Sequence, residues 1–551
     1  MPAFAGPGDS MVAFSTDFWI WRARYQPFSQ DDIPRVEHPP GQRDWSASAI
    51  AKQREELKAF DGRWKSLPHQ TLPVSEQVDY RLLGSALARV HWELEINKRW
   101  ERDPTFYVDQ AITGLLEALL PPPPFTAERT RQIMERMENI PALFRDGMAN
   151  LHPAKPFAEL ALGELRDIRP KLTGVAKEVA PMLTATGGKS SEALTSELIK
   201  AAADAATAAE AYRTSLEKNL QSYPAKSAVG RENYVFFLRN IALVPFTPEQ
   251  LLSMSRQEWS RAVAFEQYEH QRDLGNPELP LASSFEDQRR KTEIAEQAIR
   301  NFLTQKQLLT MPADIPHYVV KPIPSYLSHL EGFGELDDFT SLTRLKEEGL
   351  RWTPKPSPAL GYFALATAKD PRPLIIHEGV PGHYFQMSLS WRNPDPVRRA
   401  YYDSGANEGI GFYAEEMMLQ AGLFDDSPRS REIIYNFMRL RALRVEVDVK
   451  LALGEFSIDQ GAEYLAKSVP MDAETAHEEA RLFASTPGQA ITYQIGKIQI
   501  TRLLADARTK QGNAFRLQAF HDYVWKNGNV PLSLQRWEYL ASAEEVPALA
   551  P

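Results

Sequence analysis

The chain has 551 residues, with 63 Lys and Arg against 72 Asp and Glu, 11 His, 41 Pro and no cysteine. Without thiols there can be no disulfide scaffold, cysteine nucleophile, iron–sulfur cluster or thiolate zinc site, which leaves nitrogen and oxygen donors for any catalysis or metal binding. A net charge of −9 with no long run of Lys or Arg excludes a phosphate-tracking surface, so nucleic acid is not an expected partner.

At roughly 100–200 residues per domain the length allows three or four domains or one large helical unit. The opening residues MPAFAGPGDSM lack a basic segment followed by an apolar one, so the expected location is the cytoplasm, or an exported compartment with the signal removed. Stripes such as Ile50, Leu57, Phe60, Trp64, Leu67 and Ile133, Met137, Ile140, Phe144 recur at helical spacing and predict core-facing amphipathic helices. Breakers separate them at Pro121–Pro124, His152–Pro156, Tyr223–Gly230 and Gly275–Pro280,. The Ala-rich stretch 200–211 carries Lys200, Asp204 and Glu210, and no stretch approaches the roughly 20 apolar residues of a transmembrane segment.

Thr247-Pro248-Glu249-Gln250 combines an N-cap, Pro at the first helical position and Gln three after the cap, and predicts a long helix running past Trp259. Between residues 311 and 367 the helical pattern weakens, and His317–Pro322 and Leu360–Ala366 are short, apolar and partly β-branched or aromatic, so a few strands or extended segments are expected there. No repeat at solenoid periods is present. The expected fold is mainly α, a large multi-helix body with a small β insert.

The segment Leu374-Ile-Ile-His377-Glu378-Gly379-Val380-Pro381-Gly382-His383 places two histidines within seven residues and a carboxylate beside the first. Zinc peptidases need that grouping, since imidazoles hold the metal and the adjacent Glu takes a proton from the attacking water. On a straight helix the two histidines would stand roughly 600° and about 9 Å apart, so the backbone must break. Pro381 cannot make the bond to the His377 carbonyl, and Gly379 and Gly382 permit a bulge or a restarted turn. The competing interpretation is a loop with two incidental histidines.

Twenty-five residues after His383, Glu408 lies on a predicted helix with Gly405 and Gly411 three residues to either side, clearing its face for close approach to a metal. Glu408 is the expected third ligand. Glu415, seven residues on, shares that face and could orient a histidine; alternatively Glu415 and Glu416 are a solvated surface. A third cluster, Arg481 to Lys497, is expected to begin a helix at Pro487. Tyr493 could donate to an oxyanion, and Arg481, Arg444 or Lys497 could hold a substrate carboxylate. Against that, Arg441, Arg444 and Asp448 sit at spacings that would let them pair with one another.

At these clusters the sequence resembles the bacterial "domain of unknown function 885" family, through His377–His383, Glu408–Glu415 and Pro487–Gly496 in that order, and more weakly through Tyr234–Glu249. That family is similar to gluzincin-type metallopeptidases such as helical carboxypeptidases and peptidyl-dipeptidases. The resemblance implies two helical lobes around a cleft, about 1–230 and 231–551, and one Zn2+ bound by His377, His383 and Glu408 with Glu378 as general base. It also makes an exported location plausible, because many relatives carry export or lipoprotein signals. Where many relatives have a histidine eight residues after the position of Arg444, this chain has Ala452.

The functional expectation is a zinc-dependent hydrolase cleaving short peptides. The alternatives are an amidase with a non-peptide substrate, or a non-catalytic helical binding protein that keeps the metal scaffold. His and carboxylate ligands suit zinc and other divalent first-row metals. Substrate identity and oligomeric state are not legible in the sequence.

Overall fold

The computed structural model describes residues 10–29, 37–39, 41–69 and 71–550. Residues 1–9, which make up most of the opening segment MPAFAGPGDSM, lie outside the described residues.

The fold is mainly α with one three-stranded sheet. The predicted stripes are core: Ile50, Leu57 and Phe60 are buried on the Ala47–Ser66 helix, and Ile133, Met137, Ile140 and Phe144 on the Ala127–Asn150 helix. Ser46 and Thr126 cap these helices by accepting from backbone N–H groups three residues on, satisfying donors that the first turn leaves open. In the Ser191–Asn219 helix the buried face is largely alanine, including Ala201, Ala202, Ala205 and Ala209. Small side chains let it pack closely on the Ala127–Asn150 and Ile168–Val179 helices,. The large apolar cluster built here also takes in Tyr326, Leu350, Val397 and Val530, so the chain after residue 230 contributes to the core of the chain before it.

The predicted cap at Thr247 is a full capping box: Gln250 N–H donates to Thr247 Oγ1 at 3.3 Å and Thr247 N–H to Gln250 Oε1 at 2.8 Å. The helix it starts, Pro248–Arg272, lies along Pro428–Leu453. A second long pair, Ser404–Gln420 against Ile491–Gln511, crosses in the same half of the molecule.

The β insert is small and lies within the expected stretch. β1 (Tyr318–Pro322) runs parallel to β3 (Gly349–Thr353) with Tyr318 opposite Gly349, and β2 (Asp337–Asp338) runs antiparallel to β3. The stretch Leu360–Ala366, expected as a strand or extended segment, instead enters the helix Tyr362–Lys369, with Gly361 as its N-cap. Ala364, Leu365 and Ala366 are good helix formers, and this short apolar run follows that preference. Among the described residues no helix is long and apolar enough to cross a membrane.

Candidate metal centre

The break predicted between His377 and His383 has a definite form. Over Ile375–Gly379 the helix widens by one residue per turn, so that Val380 N–H donates to Ile375 O at 2.8 Å, five residues back instead of four,. The chain leaves the helix at Val380 and restarts it at His383. Gly382 passes so close to the preceding turn that a Cβ there would stand 1.8 Å from His377 O. The buried Trp525 indole N–H donates to Pro381 O at 2.6 Å and fixes the outside of the turn.

This geometry turns His377 and His383 onto Glu408. His377 Nε2 lies 3.1 Å and His383 Nε2 3.3 Å from Glu408 Oε2, and one ligand atom from each of the three residues falls within 4.8 Å of the others. Among the described residues this is the only group of three or more His, Asp or Glu side chains so arranged. The residues are 5%, 5% and 1% exposed.

Glu415 Oε1 stands 2.7 Å from His377 Nδ1. A carboxylate only accepts, so Nδ1 carries the proton and the Nε2 lone pair faces Glu408. Two acceptors 3.1 Å apart repel unless a cation or a proton lies between them. With a proton as the only cation, burial opposes charging of His377, yet the hydrogen bonds to Glu408 and Glu415 raise it to about 9. The three donor atoms therefore fit a divalent ion, which would satisfy them all. Gly411 provides the room: a Cβ there would be 3.1 Å from Cε1 of both histidines.

Glu378 is the accessible member of the group, its side chain 23% exposed and its Oε2 3.9 Å from His383 Nε2. Tyr493 stacks on His377 with ring centroids 6.0 Å apart. Both line a cleft of ≈ 250 Å³ together with His377, His383, Glu408 and Arg444. The sheet forms another part of the wall through Asp337, Phe339 and Arg351. Tyr318 O–H donates to Asp337, which also pairs with Arg351. Burial lifts the Asp337 carboxyl to about 7 against the pull of Arg351, with the Glu378 charge adding to the rise.

Tyr493 reaches the cleft because its helix crosses Ser404–Gln420 at backbone contact: a Cβ on Gly409 would be 2.7 Å from Gly496 Cα, and one on Gly496 would be 2.3 Å from Gly405 O. Of the two glycines expected to clear Glu408 for the metal, Gly411 faces the imidazoles and Gly405 receives the neighbouring helix. That helix begins at Ile491 and not at Pro487. Gly488 at φ +94 belongs to a tight turn, where Asp448 accepts from Gly488 N–H at 2.9 Å and Ala490 N–H at 2.8 Å. Tyr234 O–H also donates to Asp448, at 3.1 Å.

Several expectations about charged residues are corrected. Arg441, Arg444 and Asp448 do not pair with one another: Arg441 Nη2 is 3.1 Å from Glu415 Oε1, and Arg444 makes two 2.6 Å bonds to Glu479. Glu415 and Glu416 are not a solvated surface. Glu415 is buried beside His377, and Glu416 joins Arg261 at 2.8 Å and Lys497 at 2.7 Å. Lys497, expected at the substrate, is buried between Glu416 and Glu258 and ties three helices together outside the cleft. Arg481 bonds Glu164 in an adjoining cavity. Ala452 lies in an apolar cluster with Tyr234, Phe237 and Leu251, away from the cleft lining. The sequence contained no signal for Trp525, Glu479 or Asp337, whose roles depend on packing between distant segments.

No curated protein matches the chain. Two solved structures are similar to it over nearly the full length. A "putative lipoprotein of unknown function" from Shewanella oneidensis has a TM-score of 0.69 and 18% identity, covering 97% of this chain and 100% of that one. A "putative lipoprotein" from Colwellia psychrerythraea has a TM-score of 0.72 and 16% identity, covering 96% of this chain and 97% of that one. At these identities the likeness is one of fold. The model of the bacterial proteins of unknown function DUF885 matches residues 41–537, and the chain belongs to that family.

Proposed function

We propose that the protein is a metal-dependent hydrolase of short peptides or related amides, with one divalent cation, zinc by the character of its donors, held by His377, His383 and Glu408. The observation that carries this is the convergence of those three buried ligand atoms within 4.8 Å of one another on the wall of a cleft, with Glu378 beside them. Two imidazoles and one carboxylate leave a coordination position open, as catalytic zinc sites do. Bound zinc would polarise a scissile carbonyl and lower the pKa of its water.

The chain's own residues supply the rest. Glu378 takes the proton from the attacking water and delivers it to the leaving amine. Tyr493, beside His377, donates a hydrogen bond from its hydroxyl to the developing oxyanion. Glu415, backed by Arg441, holds the His377 ring so that Nε2 faces Glu408,. The likeness to gluzincin-type peptidases belongs to this proposal, and the lipoprotein descriptions of the two solved neighbours fit an exported location. Ala452, where many relatives have a histidine, sits in an apolar cluster and is not among the residues lining the cleft.

The test is metal analysis followed by digestion of a peptide library with and without chelator. Glu378→Gln should retain zinc and lose about 10²–10⁴-fold in kcat, the usual worth of a general base. Unchanged turnover in that variant removes Glu378 from the chemistry, and a protein that neither holds nor gains metal overturns the proposal.

A further inference from the structure

The cleft carries more negative charge than a metal ion requires. Seven carboxylates line it against three arginines, and each arginine already faces a carboxylate: Arg351 Asp337, Arg441 Glu415, and Arg444 Glu479. Nothing in that arrangement is a clamp waiting for a substrate carboxylate.

A second cavity of ≈ 250 Å³ opens beside the cleft and shares Gly334, Glu335, Phe363, Glu479 and Leu482 with it. Its two arginines are also engaged, Arg99 with Asp103 at 2.8 Å and Asp109 at 2.9 Å, and Arg481 with Glu164. Glu335 and Glu478 stand exposed among its lining residues, with Glu335 Oε2 3.7 Å from Arg351 Nη2 at the border with the cleft. Deeper in, the Glu164 side chain is 9% exposed, and its Oε2 is buried without a hydrogen-bond partner. Burial raises the Glu164 carboxyl against Arg481. An arriving cation would satisfy its open oxygen, since a buried acceptor without a donor is costly. Phe363, which already carries the Arg444 guanidinium 5.6 Å over its ring, and Leu482 offer apolar walls for a methylene stem,.

We propose that this adjoining cavity is a specificity pocket for a cationic side chain of the substrate, the ammonium of lysine or the guanidinium of arginine, with Glu335, Glu478 and Glu164 as its anionic partners. The proposal rests on the hydrolase function and names its substrate class.

The test uses two sets of tetrapeptides with identical free termini, carrying arginine or its neutral isostere citrulline at each position in turn. At one position kcat/KM for arginine should exceed that for citrulline at least about tenfold. In Glu335→Gln/Glu478→Gln protein this ratio should fall toward one, while Glu232→Gln, an exposed carboxylate outside both cavities, should keep it. In parallel, calorimetry measures binding of the same peptides to zinc-loaded Glu378→Gln protein. Equal cleavage of both peptides at every position, or a ratio that survives the double substitution, overturns the pocket and leaves the hydrolase function standing. If neither peptide is cleaved but the arginine peptide binds more tightly, and loses that advantage in the double variant, the pocket stands and the hydrolase function falls. Equal binding, or none, overturns the pocket.

Discussion

His377 and His383 come from a helix that is widened over Ile375–Gly379 and restarted at His383, whereas Glu408 and Glu415 stand on the uninterrupted Ser404–Gln420 helix. Seven residues of regular helix bring the two carboxylates back to within roughly 20° of one face, about 10 Å apart along the axis. That spacing lets them take opposite edges of one imidazole, Glu408 at Nε2 and Glu415 at Nδ1. Six residues of regular helix could not have delivered both histidines to one carboxylate. The difference teaches where the centre is fragile: the interrupted segment depends on close backbone contact, and the regular one on side-chain chemistry laid over a tolerant scaffold.

Gly382→Ala should strain that comparison most. A Cβ 1.8 Å from His377 O cannot be absorbed by rotating a side chain, so the restarted turn must move, at about 4 kcal/mol or more, in the range reserved for named structural failures. Urea unfolding and metal content measure it. A variant that keeps both would mean the His377–His383 turn is far more adaptable than its geometry indicates.

In the regular segment, Glu415→Gln leaves the helix in place and removes only the charge behind His377. Metal affinity should fall about 10–100-fold, the usual consequence of losing a carboxylate that orients a ligating histidine, read by competition with a chelator. Unaltered affinity would show that Arg441 and packing suffice to aim the ring.

The metal-free protein should also report the same imidazole through pH. His377 is raised from 6.5 to about 9 by Glu408 and Glu415, which outweigh the larger single effect of burial. A histidine raised on folding contributes stability that is fully present below its unfolded pKa and is lost as pH rises through its folded one. Chelated protein should therefore lose on the order of 2 kcal/mol between pH 6.5 and 9. Zinc, displacing the proton, should reverse the trend over the same window. A chelated protein equally stable at both ends would sink the assignment of the charge to His377.

The same contrast governs what was legible in the sequence. The need for a break between His377 and His383 followed from helical geometry, and Pro381 and Gly382 marked its place, because such residues announce backbone irregularity locally. Glu408 and Glu415 were legible because a regular helix carries its periodicity in the chain. The partners of Arg444 and Lys497 were not, since Glu479, Glu258 and Glu416 reach them through packing of separate helices. Leu360–Ala366 is ambiguous in the sequence for a related reason: a short apolar run has no periodicity long enough to separate strand from helix.

The smallest effect is expected at Asp403, the cap of the regular Ser404–Gln420 helix, which accepts from Ala406 N–H at 2.9 Å. Removing the cap by Asp403→Ala should cost about 1 kcal/mol. Asp403→Asn keeps an acceptor of equal capping quality and removes only the charge. Burial lifts this carboxyl from 3.8 to about 7 against the backbone bond from Ala406, so folding favours its protonated form. Any stability it lends is greatest below pH 3.8 and declines as pH rises to 7, above which an ionised group must be buried. The asparagine variant should therefore equal or exceed the parent near pH 6, by a margin that widens toward pH 8, with metal content unchanged at both. Loss of metal on this substitution would mean that the regular helix is as exacting about its first turn as the interrupted one is about Gly382.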